Sequence, residues 1–277
     1  MRIIADSGST KTSWVLIGIG MEPMFFNTEG FNPYYVDSNY IYQSILQNFP
    51  ADFPYSAIQH IYFYGAGCVP GKSEIVTSAL RRAFPNSQSE VSSDLFAAAK
   101  ALVGDEKNFV SILGTGTNSA IFDKGKITYQ IPSLGFLLGD EGSGAYMGRK
   151  LLSKYARNIL PRQIQDELAD VLNVSPQQVV TYFYEQKLPN RFSASVVPII
   201  LAHIHITEIR QIVLDSFQDY FQNIVIKYPD YTAYTLNVMG SIGFNFKDLL
   251  DIVASENGMR LGKIYHSPME GLVAYHS

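Results

Sequence analysis

Asp6-Ser7-Gly8-Ser9-Thr10-Lys11-Thr12, read together with Leu113-Gly114-Thr115-Gly116-Thr117-Asn118, is the stretch on which the fold turns. The first segment follows a short apolar run at 2–5 and leads into another at 13–18, so it reads as a tight turn between two strands. It offers Gly8, hydroxyls at Ser7, Ser9, Thr10 and Thr12, and the ammonium of Lys11. A phosphate chain is held by converging backbone N–H groups, hydroxyls and a cation, with glycine wherever the backbone must come close. Asp6 stands at a strand end, where a carboxylate can hold Mg²⁺ directly or through water. An ordinary polar hairpin would look the same. The second turn, Gly114 to Thr117, favours phosphate, because two such turns across a cleft can grip one polyphosphate from both sides.

Working outward from these turns, the chain predicts one order of elements twice. Strands are expected at 2–5, 13–18 and 23–28, a helix at 40–49, a strand at 58–64, a helix at 73–84, a weak strand at 88–92 and a helix at 94–102. After a polar patch at 104–108 come strands at 109–113, 118–123 and 126–131 and a long helix at 142–159. A strand at 235–239, a helix at 244–257, a strand at 260–265 and a last helix from Pro268 complete the second copy. Each copy reads βββαβαβα, and a repeat on this scale says more than any single element. The second copy carries an insertion of helical pattern at 161–229, in which Ser175-Pro176-Gln177-Gln178 reads as a capping box with proline at the first helical position.

Composition narrows the function classes. With 47% apolar and 17% charged residues the chain is globular, and a net charge of -4 gives no basic field for a nucleic acid backbone. No apolar run approaches the roughly 20 residues of a membrane span, and no signal-like segment precedes the first strand, so a cytoplasmic protein without membrane partner is expected. The single cysteine, Cys68, cannot pair internally or alone hold a metal cluster. Aromatic residues make 13% of the chain, which suits a packed core and also a small-molecule cleft.

The ordered set Asp6 to Thr12, Ser93-Asp94, Leu113 to Asn118, Gly139-Asp140-Glu141-Gly142-Ser143, Met239-Gly240-Ser241 and Pro268-Met269-Glu270-Gly271 resembles the actin-like ATPase and sugar kinase superfamily. Within it the chain is similar to the N-acetylglucosamine kinase-like branch that also holds the BadF/BadG/BcrA/BcrD ATPases. The resemblance implies an α/β, duplicated ribonuclease H-like fold, with two βββαβαβα lobes around a cleft. The first lobe would span 1–106 and the second 107–277, with the last helix, 268–276, able to pack back on the first. It implies an ATP- and Mg²⁺-dependent kinase acting on a hydroxyl of an amino sugar, such as N-acetylglucosamine, and a homodimer. Gly8, Ser9, Thr10, Lys11 and Thr12 would hold the β- and γ-phosphates, as would Gly114, Thr115, Gly116 and Thr117, while Gly240 and Ser241 would line the adenosine pocket. Asp94 would accept the hydroxyl proton, a role compatible with helix N-capping. Asp140, Asn118, Asn32 and Gly67 would face the sugar, although Asn32 equally suits a turn before Pro33. Phe31, Tyr34 and Tyr35 could pack against a sugar face.

Two other readings compete. Residues 66–73 fit a loose Walker A pattern, yet Ala66 replaces the first glycine and Pro70 removes an N–H from the cradle. The dehydratase-activator ATPases of the same broad family hold an iron–sulfur cluster between subunits, for which one cysteine per chain is too few. His203 and His205, two apart, point in different directions on a helix and make a poor metal pair.

Overall fold

A computed structural model describes residues 1–8 and 11–277; Ser9 and Thr10, both expected in the first phosphate turn, lie outside the described residues. The chain divides into two units, one of Met1–Gly104 with Ser267–Ser277 and one of Asp105–His266.

In the first unit the period-2 apolar pattern becomes five strands: β1 (Arg2–Ser7), β2 (Lys11–Ile17), β3 (Met24–Glu29), β4 (His60–Gly65) and β5 (Gln88–Ser93). They form one sheet in the order β3-β2-β1-β4-β5, antiparallel from β3 to β1 and parallel from β1 to β5. Alternate side chains of a strand face opposite sides, and the burial follows. Ile3, Ala5, Trp14, Leu16 and Phe63 pack with helices α1 (Ser38–Asn48) and α2 (Ser73–Ala83) on one face. Ile4, Val15 and Tyr64 pack on the other with α3 (Asp94–Val103) and the C-terminal helix (Met269–His276). That last helix is bolted down by the Tyr64 hydroxyl against His276 Nε2 at 2.8 Å, with Lys100 Nζ donating to the same hydroxyl at 2.9 Å. Aromatic residues concentrate on the first face, where Trp14, Phe26, Phe49 and Phe53 meet mostly edge-to-face. Phe31 belongs to this core, fully buried 6.1 Å from the Trp14 ring, so it cannot lie against a sugar; Tyr34 and Tyr35 are exposed.

The second unit repeats the plan with β6 (Asn108–Leu113), β7 (Thr117–Asp123), β8 (Lys126–Tyr129), β9 (Thr235–Met239) and β10 (Arg260–Tyr265), in the order β8-β7-β6-β9-β10. Strand for strand this is the first sheet again. Between β8 and β9 come a one-turn helix α4 (Gly135–Leu138), α5 (Gly144–Ala156), and five insertion helices, α6 (Arg162–Leu172), α7 (Val179–Tyr184), α8 (Pro189–Ser195), α9 (Val197–Ala202) and α10 (Thr207–Asn223). The insertion shares the core of the sheet, through Phe217, Tyr220 and Phe221 packed with Phe109, Leu113 and Met147. After β9 follow α11 (Ser241–Asn245) and α12 (Lys247–Glu256), and the C-terminal helix of the first unit is α13.

Three local expectations change. The helix expected at 142–159 starts at Gly144, because Gly142 takes φ +79° and Ser143 caps the helix by accepting the Tyr146 N–H at 3.1 Å. The helix expected at 244–257 is two helices broken at Phe246, whose ring is buried at the break. The capping box is half formed: Gln178 accepts from the Ser175 N–H at 3.2 Å, but the Ser175 hydroxyl donates to the same Gln178 oxygen, and the helix begins at Val179. His203 pairs with Glu167 at 2.6 Å, and no cluster of three or more metal-ligating side chains occurs among the described residues. No helix among them is long and apolar enough to cross a membrane.

Candidate active site

The parallel register of the first sheet sets Ser7 opposite Gly65 and Gly65 opposite Ser93. Asp6, the loop after β4 and Asp94 therefore gather at one sheet edge, where the strands deliver their C-terminal ends. Asp94 is the first residue of α3, with Ser93 as the N-cap, so it is not itself the cap. Its carboxylate accepts the Leu95 N–H at 2.9 Å. Both residues are half-buried. Desolvation by the surrounding protein still raises Asp94, opposed by the N–H groups of Leu95 and Asp94 itself. Asp6 is pushed up to about 7, first by desolvation and then by the charge of Asp94, with Lys11 pulling the other way. Two carboxylates that disfavour each other's ionisation, with one exposed lysine to offset them, form a site that a divalent cation would relieve. Mg²⁺ needs only one or two protein carboxylates beside phosphate oxygens, so the residues present fit it.

Around this pair the first turn is fastened from below. The Ser7 hydroxyl accepts the Phe31 N–H at 3.0 Å and lies 2.7 Å from the Thr12 hydroxyl, which donates to the Glu29 carbonyl at 2.9 Å. Thr12 is fully buried, so its hydroxyl shapes the turn and does not reach a phosphate. Among the described residues of the turn, Gly8 and Lys11 are exposed. Beside them Asn32, 8% exposed, accepts the Tyr34 N–H at 3.0 Å, and Gly67 fits against it: a Cβ there would collide with the Asn32 carbonyl oxygen and stand 2.9 Å from the Tyr34 ring. Gly67 also takes φ +79°, so both space and backbone require glycine. Asn32 thus has its turn role, and its side chain packs against Gly67. Cys68 is buried in the adjoining core; burial and the Asp94 charge push its thiol up to about 12, far from a cluster-binding thiolate.

The Walker-like segment makes no cradle. The N–H groups of Ala66, Cys68, Val69, Lys72 and Ser73 all bond to nearby carbonyls, leaving none of these five for a phosphate.

In the second unit the turn after β6 is braced by the start of α5. The Gly144 and Ala145 N–H groups donate to the Gly114 and Thr115 carbonyls at 2.8 and 3.1 Å, and the Gly114 N–H closes on the Gly116 carbonyl at 3.1 Å. Thr117 is buried, its N–H on Asp140 at 3.2 Å and its hydroxyl on the Glu141 carbonyl at 2.7 Å. Its side chain, like that of Thr12, holds the turn from inside. The N–H groups of Thr115 and Gly116 keep no acceptor among the described residues, which is the backbone pair a phosphate oxygen requires.

Asp140 lies between α4 and α5, outside both helices. It sits in a turn at φ +60°, packed against Gly116 and hydrogen-bonded to Thr117 and, at 3.3 Å, to the Ser133 hydroxyl. Burial raises its carboxyl and these donors offset part of the rise. Ser133 was not expected here; a lone serine between β8 and α4 carries no pattern of its own. Asn118 follows Thr117 and is held through its carbonyl oxygen by the Ser119 N–H and Gln130, at 3.0 and 3.1 Å. Gly240, at φ +118°, lies so close to the end of β6 that a Cβ would stand 2.5 Å from the Leu113 carbonyl oxygen, and Ser241 opens α11 beside it. The structure therefore brings Gly240, the Gly114–Gly116 turn and Asp140 together in this unit, and Asp6, Asp94, Asn32 and Gly67 together in the other.

Two mixed five-stranded sheets of the same strand order, each with a glycine turn after its first strand, are the fold of the sugar kinase structures that the chain matches. Along its full length the chain is 36% identical to a candidate N-acetylglucosamine kinase from Porphyromonas gingivalis, whose structure it matches at TM-score 0.94 over 98% of that chain. The chain belongs to this N-acetylglucosamine kinase-like family. A second candidate N-acetylglucosamine kinase, from Chromobacterium violaceum, shares the fold at 15% identity and TM-score 0.75, covering 100% of this chain and 98% of that one. A ROK family glucokinase from Streptomyces griseus, in complex with glucose and AMPPNP, shares it at 13% identity and TM-score 0.55, covering 99% and 97%. No protein-family model and no curated protein sequence matches the chain.

Proposed function

We propose that the chain is an ATP-dependent kinase that phosphorylates a hydroxyl of an amino sugar of the N-acetylglucosamine type. The observation that carries this is the Asp6–Asp94 pair at one sheet edge, in a fold shared at 36% identity with a candidate kinase of that sugar. Phosphoryl transfer asks a protein mainly for position and charge, plus a carboxylate that accepts the proton of the attacking hydroxyl. Asp94 is that base: desolvation raises its proton affinity, and the Leu95 N–H fixes the carboxylate. Lys11 in the first unit, on a turn closed by the Gly8 N–H on its carbonyl at 2.9 Å with Gly8 leaving room for close approach, and the Thr115 and Gly116 N–H groups in the second, bind the phosphates. Gly240 and Ser241 line the adenosine pocket, and Asn32, Gly67, Asn118 and Asp140 contact the sugar. Mg²⁺ at Asp6, when bound, neutralises charge on the transferred phosphoryl group. A cytoplasmic homodimer completes the reading.

The test is ADP release measured against a panel of amino sugars. Release that depends on N-acetylglucosamine or a close relative is expected; equal release with and without every sugar contradicts the assignment.

The Asp6 carboxyl also sets a pH dependence. Unfolded, it ionises near 3.8; folded, near 7. Between these values the folded state holds the extra proton, so this group's contribution to stability falls as pH rises. Mg²⁺ must displace that proton. The increase in melting temperature on adding Mg²⁺ should therefore be small at about pH 6 and grow by about pH 8. In Asp6→Asn the increase should be small at both.

A further inference from the structure

Helix α5 and the turn after it carry a row of cations, Arg149, Lys150, Lys154 and Arg157, along one side of an open groove of about 640 Å³. The opposite wall is α10, with Ile212 and Asp215. The charges are unevenly spent. Lys150 Nζ lies 2.7 Å from Asp219 Oδ2, which also accepts the Tyr146 hydroxyl at 2.9 Å, so that pair cancels. Arg149 donates to the Phe136 carbonyl at 2.7 Å and rests between the Phe136 and Tyr146 rings, 5.3 and 5.2 Å from their centres. It is held in place without losing its charge. Arg157 bonds only to Ser153, and Lys154 has no carboxylate within ion-pair distance among the described residues. Asp215 opposes them and already accepts from Gln211 at 2.7 Å. Among the groove's lining residues Asp215 is thus the one carboxylate set against Lys154 and Arg157, while Arg149 also acts on Asp140, whose carboxyl its charge pulls down, in a chain whose net charge is -4.

Arg149 and Lys154 on α5 and Arg157 just past its end suit a compact dianion, and guanidinium forks match phosphate oxygens best. The Tyr146 ring and the exposed Ile159 supply apolar surface beside them, against which a sugar ring can lie. The groove has the volume of a small-molecule site. None of its residues is itself one of the proposed nucleotide, sugar or metal positions; Arg149 reaches one of them by charge, lowering the Asp140 carboxyl. We propose that this groove is a second ligand site, separate from the catalytic one, and that it binds the phosphate monoester of a hexose-sized molecule.

The experiment is a calorimetric titration of glucose 6-phosphate into the full-length protein saturated with AMPPNP, at low salt and about pH 7.5, where the monoester is a dianion. Saturable binding is expected, weakened by added salt. It should fall about tenfold or more in Lys154→Glu/Arg157→Glu, as expected for losing two charge-assisted contacts. It should persist in the conservative Lys154→Arg and in Asp94→Asn. Absence of binding to the wild-type protein overturns the proposal. So does equal binding by the double variant, or loss of binding in Asp94→Asn, since either puts the ligand elsewhere. The titration reads binding and not turnover, so its failure is distinct from a failure of the kinase reading.

Discussion

Asp94→Asn will lower sugar-dependent turnover by about 10³-fold, within the range a general base contributes, while the protein still binds AMPPNP. Asparagine keeps the shape of the side chain and its oxygen can still accept the Leu95 N–H, so α3 should not unfold. What disappears is the group that takes the hydroxyl proton. A second consequence separates this from a simple loss of structure. The charge of Asp94 is one of the causes that raise Asp6. With that charge gone, Asp6 ionises at lower pH, and the Mg²⁺-dependent rise in melting temperature should develop at lower pH than in the wild type. Turnover near the wild-type rate would remove Asp94 from the chemistry. An unchanged pH profile of the Mg²⁺ effect would remove it from the surroundings of Asp6.

Gly148→Ala has the largest expected effect on stability. Gly148 is in the middle of α5 where α8 crosses, and an added Cβ would land on the Ser193 carbonyl. Backbone cannot step aside as a flexible side chain can, so the two helices must separate. Overpacking of this kind costs about 3 kcal/mol, or about 6–12 °C of melting temperature for a protein this long. Because the first N–H groups of α5 hold the Gly114 and Thr115 carbonyls, AMPPNP binding should weaken as well. Gly71→Ala makes the contrast. Gly71 sits at φ +84° with nothing near its missing Cβ, so only backbone strain of about 1 kcal/mol is expected there. A melting temperature for Gly148→Ala equal to that of Gly71→Ala would contradict the packing account.

The repeated βββαβαβα order was readable because each strand is a short apolar run closed by glycine or polar residues, and the sheet topologies repeat strand for strand. The inward turn of Thr12 was within reach of the same pattern. Strand alternation puts Thr12, Trp14 and Leu16 on one face, and the last two are unmistakably core. Thr117 follows the same rule with Ser119 and Ile121. Reading both threonines as phosphate ligands gave more weight to hydroxyl chemistry than to register. The break at Phe246 had no such signal, since Ile242, Leu249, Leu250 and Val253 continue a helical spacing across it and neither glycine nor proline marks it. Nor could sequence show that Asp140 is tied to Thr117, a bond between residues 23 apart made in a turn of positive φ. The groove along α5 was equally hidden, because its charge balance depends on which lysine finds an aspartate on α10.

The most direct measurement is identification of the product. Protein, Mg²⁺-ATP and N-acetylglucosamine are incubated together, and the mixture is analysed by mass spectrometry and ³¹P NMR. The expected result is a sugar phosphate monoester formed in step with ADP and absent with Asp94→Asn. ADP accompanied only by inorganic phosphate, with the sugar recovered unchanged, would contradict a kinase acting on this sugar.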